Sequence, residues 1–150
     1  MSSPADTAPR KIFSVGYGGR KPKDFLALLT RHGVRTIVDV RLRPDKASVS
    51  AYSQSKDPAK GLQGLLSEGG IRYVPLLELG NLFMEHPDWQ ARYAELFERS
   101  GEVLVRRLVE SERIVPPLAL MCAEQDAREC HRQFIAAFLR ARGWTVEELV

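Results

Sequence analysis

Ile12-Phe-Ser-Val-Gly-Tyr-Gly-Gly-Arg20 and Thr36-Ile-Val-Asp-Val-Arg41 decide the fold, together with the segment that joins them. The first stretch reads as a short buried strand running into a glycine-rich turn. Pro22 and Asp24 suit the first turn of a helix, and Phe25, Leu26, Leu28 and Leu29 give that helix one apolar face before Gly33 stops it. Thr36-Ile-Val-Asp-Val40 is then a second strand, rich in β-branched residues. Strand, helix and strand in that order predict a right-handed βαβ unit, whose two strands lie parallel in one sheet.

The pattern continues outward from this unit. Residues 44–60 are polar, with four serines and two prolines, a stretch longer than a usual βα connection and so either a functional loop or partly mobile. Residues 61–68 read as a helix ended by Gly69-Gly70, and Ile71-Arg-Tyr-Val-Pro-Leu76 as a third strand. Residues 87–112 are helical in pattern, with Gly101 expected to interrupt or split the helix. Residues 117–122 form strand four and residues 129–142 the last helix, stopped by Gly143; residues 144–150 suit a short edge strand better than a helical tail. The alternation predicts a single three-layer α/β domain over residues 12–150, with a mostly parallel sheet of four to five strands and helices on both faces. Residues 1–11 lack an apolar core, which excludes a secretory signal, and are expected to be a disordered leader.

Composition fits an ordinary globular domain. The 150 residues are 44% apolar and 27% charged, with a formal charge of +3. So small an excess suits an anionic small molecule more than an extended nucleic acid, whose binding stays possible but weakly supported. No apolar run approaches the roughly 18 residues of a membrane span, so no membrane partner is expected. Two closely spaced cysteines make a poor disulfide framework, and a cytoplasmic setting with reduced thiols is expected.

Ligands of parallel α/β sheets bind beyond the carboxyl ends of the strands, and every strand end here carries polar chemistry. After strand one, Gly16, Tyr17, Gly18 and Arg20 are candidate substrate-binding residues, the turn offering backbone N–H groups to an anion; a plain tight turn is the other reading. Asp39 is a candidate catalytic carboxylate, with a structural ion pair as its alternative. Arg41 is placed to hold a phosphate or carboxylate bidentately, Arg43 less so. Glu78 is a candidate substrate-contacting acid or base, or simply a cap. Cys122 ends an apolar strand and suits packing, or the role of a secondary thiol. Cys130, near a helix start beside His131 and Arg132, is the candidate nucleophile, because that setting favours a thiolate. His131 would be its base, oriented by Glu124 or Asp39, and Arg132 a third anion-binding group. Cys122, Cys130, His131 and Glu124 match no familiar zinc spacing, and adjacent Cys-His side chains on a helix point apart, so no metal is expected. No cofactor motif is present, and His32 and His86 receive no role.

These blocks resemble a known family. Ser14-Val-Gly-Tyr-Gly-Gly-Arg20, Val38-Asp-Val-Arg41, Gly70-Ile-Arg-Tyr73, Glu78-Leu-Gly80, Cys122-Ala-Glu124 and Cys130-His-Arg132 are similar, in order and spacing, to the bacterial and archaeal family called domain of unknown function 488. The resemblance runs from about residue 12 to residue 144 and implies one small α/β domain whose motif residues cluster; it implies no agreed activity. The chain departs from the pattern at Asp45-Lys-Ala-Ser48, where relatives often carry a Ser-Arg pair and an aromatic, and at Gly80-Asn81, where Gly-Gly is common. Both departures fall in loops facing the substrate.

The functional expectation is an enzyme acting on an anionic small substrate, such as a nucleotide, a base or a phosphorylated metabolite. Hydrolysis or group transfer would use a thiolate or an acid/base pair. A non-catalytic nucleotide or nucleic-acid binding domain and a zinc-bearing structural module are the alternatives. Oligomeric state is not legible.

Overall fold

Alternation along the strands sorts the core into two halves. In β1 (Lys11–Gly16) Ile12 faces one side of the sheet while Phe13 and Val15 face the other. In β4 (Leu118–Cys122) Leu118, Leu120 and Cys122 share the side of Ile12, and Ala119 and Met121 the opposite one. Both faces of such strands are apolar, which is what helices on both sides require. The structure, a computed structural model, describes residues 10–150. Residues 1–9 of the expected leader lie outside the described residues, and Lys11 opens β1.

The sheet has five parallel strands in the order β3-β2-β4-β1-β5, with β2 at Thr36–Asp39, β3 at Arg72–Pro75 and β5 at Thr145–Glu148. Helices α1 (Pro22–Arg31) and α2 (Gly61–Ser67) bury Phe25, Leu28, Leu29, Leu62 and Leu66 on one face. Helices α3 (Trp89–Leu104), α4 (Arg106–Glu110) and α5 (Arg132–Arg140) bury Tyr93, Phe97, Leu108, Ile135 and Leu139 on the other. The three-layer α/β domain expected from the alternation is the architecture observed.

Two helix boundaries differ from the sequence reading. Gly101 does not break the long helix; the break comes at Val105, between α3 and α4. Gly101 is buried in mid-helix because the Phe138 ring of α5 lies where a Cβ would stand. The last helix starts at Arg132, after a 3-10 turn at Ala127–Glu129. Cys130 and His131 therefore lie outside the regular helix, with His131 at its N-cap position. That displacement controls where both side chains point.

The strand order also fixes where a crevice opens. From β2 the chain leaves toward β3, and from β4 it leaves in the opposite direction toward β5. The carboxyl ends of these neighbouring strands thus lie at a topological switch point, where loops part and leave a gap.

Candidate functional site

A cleft of about 650 Å³ occupies that gap. Tyr17 lines it from the end of β1, Arg41, Arg43 and Lys46 from the loop after β2, and Cys122, Glu124, Cys130 and His131 from the region between β4 and α5. Asn81, His86 and Trp89 close it from the segment leading into α3. Of the expected site residues, Tyr17, Arg41, Glu124, Cys122, Cys130 and His131 are brought together. Gly16, Gly18, Arg20, Asp39, Glu78 and Arg132 are not among its lining.

Cys122 and Cys130 are joined as a disulfide, where reduced, separate thiols were expected. The short loop between them folds the entrance of α5 back over the end of β4, so sequence proximity becomes contact. His131 is buried; its Nε2 donates to the Val40 carbonyl at 2.7 Å and its Nδ1 lies 3.7 Å from Cys130 Sγ. A carbonyl can only accept, so Nε2 carries the proton and Nδ1 presents its lone pair to the sulfur. The expectation that adjacent Cys and His side chains point apart fails because neither residue sits on a regular helical turn. Burial holds the His131 imidazole below its ordinary value; the Val40 hydrogen bond opposes this and the nearby Arg132 charge reinforces it. Neutral imidazole is the form at neutral pH.

Both sulfurs also receive protein donors. Cys130 Sγ accepts the first backbone N–H of α5, from Arg132, at 3.5 Å. Cys122 Sγ accepts Arg132 Nη1–H at 2.9 Å and lies 3.6 Å from Glu124 Oε2. Cys122, expected to suit packing or the role of a secondary thiol, is thus packed in the core and in contact with a guanidinium donor. Cys122, Glu124 and Cys130 present ligand atoms all within 4.8 Å of one another.

Arg132 was expected to meet an anion. It is fully buried instead, and its donors reach Ser14 Oγ, Cys122 Sγ, the carbonyls of Glu124 and Gln125, and the Glu148 carboxylate. It lies beneath the cleft and not in its lining. Asp39, expected in a catalytic role, is likewise saturated: it accepts from Arg41 Nε, Nη2 and backbone N–H and from Tyr73 O–H at 2.6 Å. The ion-pair alternative describes it. Burial lowers the Arg41 value, but the hydrogen bonds and charge of Asp39 more than offset this, and the net shift is upward. Arg41 Nη1 donates to the Tyr52 carbonyl and to Tyr17 Oη, so the guanidinium is locked in place. Among the described residues no acceptor takes the second N–H of Nη2.

Two backbone N–H groups of the glycine-rich turn, expected to be offered to an anion, are taken by protein carbonyls. Tyr17 N–H donates to the Cys122 carbonyl and Gly18 N–H to the Ala123 carbonyl. A Cβ on Gly16 would overlap the Glu124 carbonyl, so the glycines let the β1 end press against residues 123–125. Arg20 ties that turn to the Gly16 and Leu149 carbonyls. Glu78 is drawn away by Arg107, whose hydrogen bonds hold its carboxyl below the usual range. Arg107 and Arg113 line a separate cleft of about 440 Å³ along β3 that holds none of the expected site residues.

Sequence reading missed Lys46, His86, Trp89, Ser14 and Glu148. Ser14 carried a signal, a hydroxyl facing inward from an apolar strand, which needs a buried partner. Glu148 carried none, because an acid near an edge strand is ordinarily solvated.

Fold and site together define a parallel α/β domain with a cysteine pair and a histidine at its switch-point cleft. The family described as domain of unknown function DUF488 matches residues 21–139, most of the chain, and the chain belongs to that family. Neither a curated protein nor a solved structure matches it. Among the described residues no helix is long and apolar enough to cross a membrane.

Proposed function

We propose that the protein is a thiol-dependent enzyme that hydrolyses, or transfers a group from, a small organic anion. One observation carries this reading: His131 Nδ1 faces Cys130 Sγ at 3.7 Å while Nε2 is pinned on the Val40 carbonyl. An imidazole so held is a general base for the thiol beside it.

The disulfide is the resting, oxidised form. Two equivalents of a thiol reductant cleave the S–S bond, are themselves oxidised to a disulfide, and leave Cys122 and Cys130 as thiols. A cytoplasmic setting supplies such reductants. Nδ1 then takes the Cys130 proton, and the thiolate forms a bond to the electrophilic atom of the substrate. The leaving group departs with the proton returned by His131. Water, activated by the same nitrogen, cleaves the covalent adduct and restores the thiol. The substrate's anionic group sits at Arg41, whose free Nη2–H and fixed orientation suit a carboxylate or phosphate. Arg43 and Lys46 add positive charge on that wall. Glu85, Glu124 and Glu129 line the cleft elsewhere, a balance that favours a small anion seated locally over an extended nucleic acid.

The test is the alkylation rate of Cys130 by iodoacetamide in reduced Cys122→Ser protein. The rate is expected to stay high below the pH range of an ordinary thiol, near 8.5, and to fall roughly tenfold or more at pH 7 in His131→Ala. An ordinary thiol profile that ignores residue 131 would falsify the reading.

A second reading has its own observation, the mutual closeness of the Cys122, Glu124 and Cys130 ligand atoms. Reduced, these groups with His131 Nδ1 have the chemistry to hold a zinc ion. Reduced protein that takes up zinc in a one-to-one ratio, and loses it in Cys122→Ser, supports that reading; no uptake removes it.

A further inference from the structure

We infer that the ligand of this cleft carries an apolar ring or chain beside its anionic group, and that the segment around Leu82 and Met84 receives it. The inference rests on the anion-seat half of the reading above.

Leu82 is 66% exposed and Met84 is 59% exposed, and both line the cleft. Phe83 between them turns the other way, packing against the core and the His86 ring. The alternation is fixed from below: Asn81 is buried, and its Oδ1 accepts the Phe83 N–H at 3.0 Å. Two large apolar side chains are thereby held exposed in the lining of the cleft that Arg41 also lines. Leu42 and Ala47 come from the loop after β2 and Trp89 from the start of α3, so apolar surface continues around the mouth.

Single exposed hydrophobic residues are ordinary and need no account. Leu77 and Val103 are of that kind, since neither lines this cleft. Leu82 and Met84 differ because they share one concave surface with a locked guanidinium and two sulfurs. The volume points the same way. About 650 Å³ lies within the range of cavities that enclose an organic ligand, and far exceeds what an inorganic phosphate or sulfate fills. A ligand held only at Arg41 would leave the apolar wall against water. A ligand with an apolar body removes that surface from water, a favourable transfer that scales with the area covered.

Isothermal titration calorimetry of the reduced full chain with inorganic phosphate, 2-naphthyl phosphate and 2-naphthol tests this. The expected result is 2-naphthyl phosphate binding about tenfold or more tightly than either of the others, with a negative heat-capacity change. The Leu82→Ser, Met84→Ser double variant is expected to close most of the gap between the two phosphates. Both positions are exposed, and an unchanged circular dichroism spectrum confirms that the variant folds. Equal affinity for the two phosphates, or a gap that survives the double variant, overturns the inference and leaves the anion seat standing. Binding of 2-naphthol as tight as that of 2-naphthyl phosphate overturns the anion seat, and the inference falls with it. Absence of binding by all three has the same meaning. The thiol chemistry is read separately from Cys130 alkylation, so failure of either idea is recognised on its own.

Discussion

Arg132 shows how much of the cleft rests on one residue that is not part of its lining. A buried cation is tolerated only when its charge and its donors are matched, and here Glu148 supplies the charge while Ser14, Cys122 and two carbonyls take the donors. Arg132→Met leaves those acceptors unpaired and is expected to cost about 3 kcal/mol, toward the low end for broken buried pairs because Glu148 keeps some solvent. Urea denaturation measures it, and a loss under about 1 kcal/mol would show that the network contributes little. His131 makes a second prediction at this scale. Its value is depressed in the folded state, chiefly by burial among Cys130, Arg132 and the Tyr93 ring. The unfolded chain therefore binds a proton first as pH falls. The neutral imidazole's contribution is fully present above the ordinary value near 6.5 and is lost as pH drops toward the depressed folded value. His131→Gln is expected to flatten the stability slope between pH 5 and 7, and parallel slopes for variant and parent would refute it.

Helix α3 shows where an element-level rule reverses. Glycine in a helix interior is ordinarily worth less than alanine by about 1 kcal/mol, so Gly101→Ala should stabilise on propensity alone. The Phe138 ring occupies the space of the new methyl group, and overpacking of that kind costs about 1–3 kcal/mol. Gly101→Ala is thus expected to lower thermal stability, and Phe138→Leu in the same chain to restore part of the loss. A stabilised single variant would show that α5 moves aside freely. This is also the measure of what was legible in the elements. Strand and helix alternation was readable because it reflects burial on two faces, which sequence period encodes directly. The fate of Gly101 was not, because it is set by a ring 37 residues away. The start of α5 escaped for a related reason: the 3-10 turn before it packs against β1, a contact that no local pattern shows.

At the scale of the molecule, convergence of strand ends is what parallel topology guarantees, and it brings Tyr17, Arg41, Cys122, Glu124, Cys130 and His131 to one cleft. Five of the other expected residues lie outside its lining for a common cause. Gly16, Gly18, Arg20, Asp39 and Arg132 do lie near the strand ends, but as supports, because polar groups packed under a cleft must satisfy each other before they can serve a ligand. Sequence gives position along the strand and not depth, so Arg41 and Arg132 look alike until one is found at the surface of the cleft and the other beneath it. The cysteine pair brings both scales together. Its disulfide closes a short loop, with a sequence separation of 8, between the end of β4 and the entrance of α5. Constraint of the unfolded chain by so short a loop is worth about 2.5 kcal/mol, or about 5–10 °C in the melting temperature of a chain this size. The bond that stabilises the fold also occupies the Cys130 sulfur that the proposed chemistry needs. Reduction is therefore expected to lower the melting temperature and to open Cys130 to iodoacetamide in the same reductant range. In the Cys122→Ser, Cys130→Ser protein the melting temperature should ignore reductant altogether. Scanning calorimetry and mass-detected alkylation across one series of thiol reductant concentrations follow both effects. Two midpoints that differ by an order of magnitude in reductant would separate the stabilising bond from the reactive thiol and remove the link between them.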